Sequence, residues 1–350
     1  MIDKNPFVLT FGIKPANYIS RITQAEEIIS SFESNTNNVY MITGLRGIGK
    51  TSFLTVISEY FQMKKDWIVI ELISESDMLD QLASKLYDVS LLHRIFNGKT
   101  FGFSFQGLSF SIKGEKPLTN VLSLIEILLD KIQKKYKILI CVDEAVSNNY
   151  MRPFAQTIQL LLRKKYSINL LMTGLYQNIY NLQNNNALTF LYRAPKINLE
   201  PLNISAVAQS YKKIFDINYK KALKLALFTK GYSYAYQVLG YLLASNKQTN
   251  IDNNILDSFD QFMQEYVYDK IWSELSEKDK DFLFCFDDED VIKIESVIEK
   301  TKKDKKYVSV YRDRLIKKGI IHSVEHGKIS LKLPRFNEYI QLQKMIYEIN

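Results

Sequence analysis

The sequence predicts an α/β fold built on a parallel sheet, followed by an α-helical lid and a small C-terminal module of three helices and a two-stranded wing. Three observations predict it. As far as about residue 200, short apolar runs bounded by polar turns alternate with helical periodicity. The first of these runs leads into Gly44-Leu45-Arg46-Gly47-Ile48-Gly49-Lys50-Thr51, which has the spacing G-x-x-x-x-G-K-[ST]. Beyond residue 203 the periodicity is purely helical, and a polar stretch at 246–254 separates that region from a lysine-rich end.

Asn38 to Thr43 reads as a short buried strand and Ser52 to Ile57 as the first turns of a helix, so the glycine stretch joins strand to helix. Glycines there let the backbone wind closely around phosphate oxygens, with its N–H groups and the positive end of the helix dipole facing the anion. The expected phosphate-holding set is Gly44, Gly47, Gly49, Lys50, Thr51 and Ser52. Lys50 would reach the β- and γ-phosphates of a nucleotide, and the Thr51 hydroxyl would ligate magnesium.

Trp67 to Ile73 follows as a second buried strand and Met78 to Tyr87 as a helix. From Thr100 to Ile112 large apolar residues alternate with Gly and Ser about a Gln-Gly turn, the pattern of a hairpin. It serves either as an insertion packed on the core or as a contact with nucleic acid or another subunit. A helix over about 118–134 leads into Tyr136 to Glu144, an apolar strand ending in two carboxylates. In phosphoryl transfer Asp143 would hold the magnesium shell and Glu144 would polarise the attacking water. A helix over 152–164 precedes a third long strand, 168–174, which ends in Thr173 beside a glycine. Parallel strands bring their C-terminal ends to one edge, so Thr173 is a candidate γ-phosphate sensor. A fifth strand over 194–199 follows Arg193, whose guanidinium faces either its own site or a neighbouring subunit's.

From 203 to 245 the pattern is that of a small helical bundle, and 256–275 reads as a further helix. Ser276-Glu277-Lys278-Asp279 can cap the next helix, Val291 to Thr301 a second, and Lys305 to Lys318 a third. Val308, Tyr311 and Leu315 share one face of this third helix, and Gly319 suits its left-handed C-cap. Residues 320–323 and 329–333 complete the wing, and basic residues are concentrated between 300 and 335. Such a module resembles a winged helix-turn-helix, whose third helix enters the DNA major groove. Lys305, Lys306, Ser309, Arg312, Lys328 and Lys332 are the candidate DNA contacts, with Ser309 the base-reading position. Contact with a protein is the alternative use of the same module.

With 350 residues and 46% hydrophobic content the chain buries a sizeable core in more than one domain. A net charge of +8 and a pI near 9.0 favour a polyanionic partner. No apolar run approaches the ~20 residues that span a bilayer. Met1 to Pro15 lacks the layout of a signal peptide, so a cytoplasmic location is expected. Cys141 and Cys285 lie in apolar segments and read as small core residues.

The order of parts resembles that of the AAA+ ATPases, and within them of the initiator-like and archaeal-type branch that joins an ATPase core and helical lid to a C-terminal winged helix. The resemblance covers nearly the whole chain. It implies a P-loop core of AAA+ type over 1–202, a lid over 203–250, a connecting helix over 251–276 and a winged helix over 277–350. Asn5-Pro6-Phe7, Pro15 and Ile19-Ser20-Arg21 are similar to the entry segment of bacterial ATP-binding proteins of this branch, in which a Gly-Arg pair lies close to the adenine; here Ser20 replaces the glycine. By the same resemblance Gly44 to Thr51 is Walker A, Asp143-Glu144 Walker B, Thr173 sensor 1 and Arg193 the arginine finger. ATP or ADP and Mg2+ are the implied cofactors, and ATP-dependent homo-oligomers the implied assembly. Thr229 to Gln237 occupies the lid segment that carries a sensor 2 arginine in many relatives, yet it holds none, leaving Lys230 as the available substitute. The expected function is an ATP-hydrolysing switch that controls a winged helix bound to double-stranded DNA. Its rival is a signalling-type NTPase whose winged helix makes protein contacts.

Overall fold

In the computed structural model, residues 5–10, 12, 14–89, 102–105, 108–110, 120–185, 188–287 and 289–349 are described. They form two compact units, one of Ile22–Thr43 and Phe53–Asn198, the other of Met1–Arg21, Gly44–Ser52 and Leu199–Asn350.

The first unit is laid down in the order α1 (Ile22–Ser34), β1 (Val39–Thr43), α2 (Lys50–Gln62, starting in the glycine stretch), β2 (Trp67–Ile73) and α3 (Met78–Tyr87). The hairpin β3 (Gly102–Phe105) and β4 (Leu108–Phe110) follows, then α4 (Val121–Ile132), β5 (Lys137–Asp143), α5 (Met151–Arg163) and β6 (Ile168–Gly174). Two short helices, α6 (Tyr176–Gln183) and α7 (Thr189–Tyr192), lead to β7 (Lys196–Asn198). The main sheet runs β2-β5-β6-β1-β7 with all pairs parallel. Every residue of β1 and β6 is buried, as continuous apolar runs require when helices cover both faces of a sheet. Leu82 and Leu86 of α3, Ile125 and Leu128 of α4, and Phe154 and Ile158 of α5 belong to one apolar cluster with residues of the sheet. β7 is shorter than the sequence predicts, because only Lys196 to Asn198 find partners, at Met41 to Thr43. In the hairpin Gly102 faces Phe110 and Phe105 faces Leu108; the Gln-Gly turn and the flanks of the predicted alternation lie outside the described residues.

The second unit begins its helical part with α8 (Ile204–Phe215), α9 (Tyr219–Phe228) and α10 (Ser233–Ser245), the predicted lid bundle. The single helix expected over 256–275 is instead α11 (Asn253–Met263), a π-helical turn over Gln264–Tyr268 and α12 (Asp269–Ser273). The wider turn keeps Tyr268 buried, where its hydroxyl donates to Pro334 O and its ring packs on Phe336 and Tyr339. α13 (Glu277–Leu283) starts with the predicted capping box, in which Ser276 Oγ accepts from Asp279 N at 3.3 Å and the Asp279 carboxylate accepts from Ser276 N at 3.1 Å.

The helix expected over Val291 to Thr301 divides into β8 (Val291–Lys293) and α14 (Ile294–Thr301). Ile292 is buried between two exposed neighbours, a period of two that suits antiparallel pairing with the wing. α15 (Lys305–Lys318) has its predicted limits, with Val308 and Leu315 buried and Gly319 as a left-handed C-cap at φ 80°. Tyr311 is half-buried and packs on Tyr307 with ring centroids 4.6 Å apart. β9 (Ile321–Glu325) and β10 (Lys328–Leu331) complete a sheet of order β8-β10-β9, so the wing has three strands. A last helix, α16 (Phe336–Ile349), which the sequence reading did not anticipate, buries Phe336, Tyr339 and Ile340. The result has the order of a winged helix-turn-helix. Among the described residues no helix is long and apolar enough to cross a membrane.

Asp279 joins this module together, since its fully buried carboxylate also takes Lys318 at 3.0 Å and Arg314 at 3.2 Å. Asp279→Ala is expected to cost about 3 kcal/mol by stranding the nearly buried Lys318 and removing the cap, against about 1 kcal/mol for Ser276→Ala, which loses only a cap. Urea unfolding followed by Trp272 fluorescence measures both; equal small losses would remove Asp279 from this role.

Candidate functional site

In the first unit the C-terminal ends of the parallel strands form one edge, with Asp143 in register with Ile73, Thr173 with Ile42, and Thr43 with both Gly174 and Asn198. The polar groups on this edge bond to one another. Thr43 Oγ1 donates to Asn198 Oδ1 at 3.0 Å. The Thr173 hydroxyl donates to the Asp143 carboxylate, fixing its orientation. Glu144 N–H points at both Asp143 Oδ1 (3.1 Å) and Thr173 Oγ1 (3.3 Å). On the far side Ser74 Oγ donates to Glu144 O at 3.1 Å, and Ala145 N to Thr173 O at 2.7 Å.

These bonds hold Glu144 in the left-handed region at φ 49°, a costly conformation for a residue with a side chain, and leave its carboxylate exposed. Asp143, Glu144 and Thr173 are therefore brought together as the sequence expects. Thr43, Asn198 and Ser74 carry no motif in the sequence; their one signal is a polar residue at or just after the end of a strand. Arg193 ends α7 with an exposed side chain.

The glycine stretch belongs to the second unit, where its backbone is held from outside. Tyr232 OH donates to Arg46 O, Tyr234 N to Gly47 O at 3.1 Å, and Ser233 Oγ to Ile48 O at 2.7 Å. Arg21 Nη2 reaches the same Ile48 carbonyl at 3.0 Å, and its Nη1 reaches Glu200 O at 2.6 Å. Lys50 Nζ lies 2.9 Å from Leu45 O and 3.2 Å from Gly44 O. Thr51 and Ser52, in the first turn of α2, are half-buried.

Gly47 has φ 75°, and a Cβ there would come within 2.5 Å of the Tyr232 hydroxyl, so only glycine fits. Burial holds the Tyr232 hydroxyl far above its ordinary pKa, which keeps it a proton donor. Burial pulls Arg21 below its ordinary pKa, opposed by Tyr18 and Glu200, and commits its guanidinium to bracing the loop.

The stretch Thr229 to Gln237, notable in sequence for a missing arginine, thus contributes three consecutive loop donors. Their signal was the run Tyr232-Ser233-Tyr234 after the left-handed pair Lys230 and Gly231. Lys230, the available substitute for the missing arginine, donates its ammonium to Asp290 Oδ2 (2.7 Å) and Leu331 O (3.1 Å) of the C-terminal module. The same module reaches the loop directly. Glu274 pairs with Arg46 at 3.3 Å, and Leu45 packs against Gly319, where an added Cβ would lie 3.1 Å from Leu45 Cγ.

Pro6, Asn17, Tyr18, Ser210, Lys213 and Ile214 contribute to a cleft of about 500 Å³ between the entry segment and α8. The Tyr18 hydroxyl is buried without a hydrogen-bond partner, and burial pushes its pKa up to about 12. Of the candidate DNA contacts, Lys305 and Lys306 are exposed on α15 and Ser309 is half-buried beside them. Arg312 pairs with Asp313 (2.8 Å), Lys328 with Glu325 (2.9 Å), and Lys332 with Glu200.

The chain is similar in structure to the Walker-type ATPase PABY2304 of Pyrococcus abyssi, with a TM-score of 0.61 and 13% identity over 93% of this chain and 96% of that one. It is also similar to the ORC2 protein of Aeropyrum pernix solved in ADPNP–ADP complexes, with a TM-score of 0.57 and 11% identity over 98% of each chain. The chain therefore shares the fold of these two proteins. A family model described as a domain of unknown function (DUF8462) matches residues 265–340, which run from the π-helical turn to the start of α16. No curated protein matches the chain.

The bonded group at Thr173 is open to a direct test. Thr173→Val removes the donor to Asp143 and the acceptor for Glu144 N–H at a fully buried position. It is expected to lower unfolding free energy by about 1–3 kcal/mol, read from urea denaturation. A loss below about 0.5 kcal/mol would mean that the hydroxyl does not hold these groups.

Proposed function

We propose that this protein is an ATP-binding and ATP-hydrolysing AAA+ switch whose nucleotide state controls a C-terminal winged helix bound to double-stranded DNA. Gly44, Gly47, Gly49, Lys50, Thr51 and Ser52 hold the phosphates, Thr51 and Asp143 hold magnesium, and Glu144 takes the proton of the attacking water. Thr173 keeps the Asp143 carboxylate turned, and Arg193 serves a neighbouring subunit in an ATP-dependent oligomer. Bound nucleotide with magnesium would supply the scissile phosphoanhydride and neutralise its charge. The residues present suit that cofactor: φ 75° at Gly47 and 98° at Gly49 allow close approach of backbone, and Lys50 stands over the loop. Asp143 is oriented by a hydroxyl donor. The cleft beside Tyr18 offers a place for the base, three residues before Arg21.

The observation that carries the reading is the grip on the loop. Lid donors at 232–234 hold the carbonyls at 46–48, so nucleotide entering the loop would be felt by the lid. The same observation extended to Glu274, Gly319 and Lys230 supports a second reading, a signalling-type switch whose winged helix is held against loop and lid by protein contacts. Exposed Lys305 and Lys306 on α15 support the DNA reading.

Lys50→Ala is expected to weaken ATP binding by about 1.5–3 kcal/mol, the worth of a charge-assisted hydrogen bond, and Glu144→Gln to bind ATP normally but stall its hydrolysis. Fluorescent-nucleotide titration and single-turnover hydrolysis check the pair. Parental affinity in the first variant, or parental turnover in the second, would remove that residue's role. DNA binding is checked by anisotropy of the full chain: Lys305→Glu with Lys306→Glu should weaken every duplex alike, since phosphate contacts carry little sequence information. Protein contact is the better reading if the parental chain binds no duplex at low salt.

A further inference from the structure

Formal charge along the chain and charge open to a partner are distributed differently. In the C-terminal module acids tie many of the cations at home: Lys280 by Glu277, Lys300 and Lys344 by Asp287, Arg314 and Lys318 by Asp279, Arg335 by Asp260 and Glu338, besides Arg312, Lys328 and Lys332, while Lys302, Lys303, Lys305, Lys306 and Lys317 remain exposed. In the lid almost no acid is present to do so. Residues 203–247 contain Lys212, Lys213, Lys220, Lys221, Lys224, Lys230 and Lys247 against Asp216 as the sole acid. Lys221 bonds to Thr249 at 2.6 Å and Lys230 to Asp290, whereas Lys212, Lys213, Lys220 and Lys224 are exposed with no ion-pair partner among the described residues.

These four lysines sit together at one end of a helical hairpin. α8 and α9 pack side by side and are joined by residues 216–218 alone, so the last turn of α8 with Lys212 and Lys213 lies beside the first turn of α9. Lys220 and Lys224 are one helical turn apart, about 6 Å along the axis. Lysines in a last turn agree with the helix dipole, but Lys220 and Lys221 in a first turn oppose it, where acids would stabilise the helix. Folding alone disfavours that placement, and a polyanion docked on the corner offsets it.

We infer that the lid hairpin, through Lys212, Lys213, Lys220 and Lys224, is a nucleic-acid backbone-binding surface separate from the winged helix. A nucleic acid fits better than a lipid surface, because the hairpin's large exposed apolar residues are only Tyr219 and Leu227, too little for an interfacial helix. A duplex carries one phosphate charge per ~1.7 Å of axis, dense enough to meet all four ammonium groups at once. The surface does not depend on the wing reading, and the two are tested separately.

The experiment is a fluorescence anisotropy titration of the full chain on a labelled random-sequence duplex between low and moderate salt. Changing the four lysines together to Gln should reduce the slope of log affinity against log salt by about 3–4 and weaken low-salt binding by roughly a hundredfold. Changing the same four to Arg should retain the parental slope and affinity. Lys305→Gln with Lys306→Gln provides the separate wing measurement, with a slope change of about 2 expected. If only the wing variant is silent, the wing reading fails and the lid surface stands; if only the lid variant is silent, the reverse holds. The proposal is overturned by parental binding in the Gln variant, by an Arg variant as weak as the Gln variant, or by a parental chain that binds no duplex at low salt. It is overturned as well if the parental chain prefers phosphatidylserine vesicles to the duplex and the Gln variant loses that binding.

Discussion

A backbone that winds tightly enough to cradle an anion must have its outward carbonyls satisfied by something else, because an unpaired buried peptide group costs as much as a lost hydrogen bond. In this protein the partners at 46, 47 and 48 come from Tyr232, Tyr234, Ser233 and Arg21, that is, from the lid and the entry segment. Loop conformation and lid position are therefore one variable within this unit. Each such bond is worth about 0.5–1.5 kcal/mol net, so releasing the four costs on the order of 2–6 kcal/mol. That is the range in which a bound ligand with a preference for one state can reset an equilibrium. The Tyr232 hydroxyl fills the space a side chain at Gly47 would need, which ties the glycine to the lid as firmly as to any anion.

Electrostatics within the second unit follow a similar logic of mutual satisfaction. Asp279 caps its own helix and anchors two cations of α15, while Asp287 takes Lys300 and Lys344. Cations that read in sequence as a basic groove-binding face are in large part the internal ties of the module. Lys332 illustrates the difference, since it lies in the wing segment yet pairs with Glu200, far back in the chain. The lid, whose charge looked unremarkable beside the lysine-rich C-terminus, keeps its lysines exposed because it has almost no acids to pair them with.

What was legible in the sequence was what depends on neighbours in the chain. Strands β1, β2, β5 and β6 are continuous apolar runs, α15 carries its own cap signals at both ends, and the Ser276–Asp279 capping box is local by construction. The edge residues Asp143, Glu144 and Thr173 were legible because parallel strands must end at one side. Features that need a distant partner were not. β8 exists because β10 pairs with it, and Ile292 alone gives too short a pattern to separate a strand from a helix start. The π-helical turn answers to Tyr268 meeting Phe336 and Tyr339, some seventy residues on. The bracing of the Ile48 carbonyl by Arg21 was not legible either, because two carbonyls and a serine converge on it from three segments.

The segment beginning at Thr229 ties two parts of its unit together. Lys230 and Gly231 are both left-handed, at φ 49° and 70°, so the chain reverses sharply between them and Tyr232. Gly231 cannot be replaced without conflict, since a Cβ would come within 2.3 Å of Leu202 O. The reversal points Lys230 at Asp290 and the wing, while the next three residues supply the donors that hold the glycine loop. Loop and C-terminal module are thereby joined through adjacent residues of one turn, and a lid displacement that loosens Tyr232 from Arg46 also shifts the anchor of Lys230. One turn thus holds both the glycine loop and the wing.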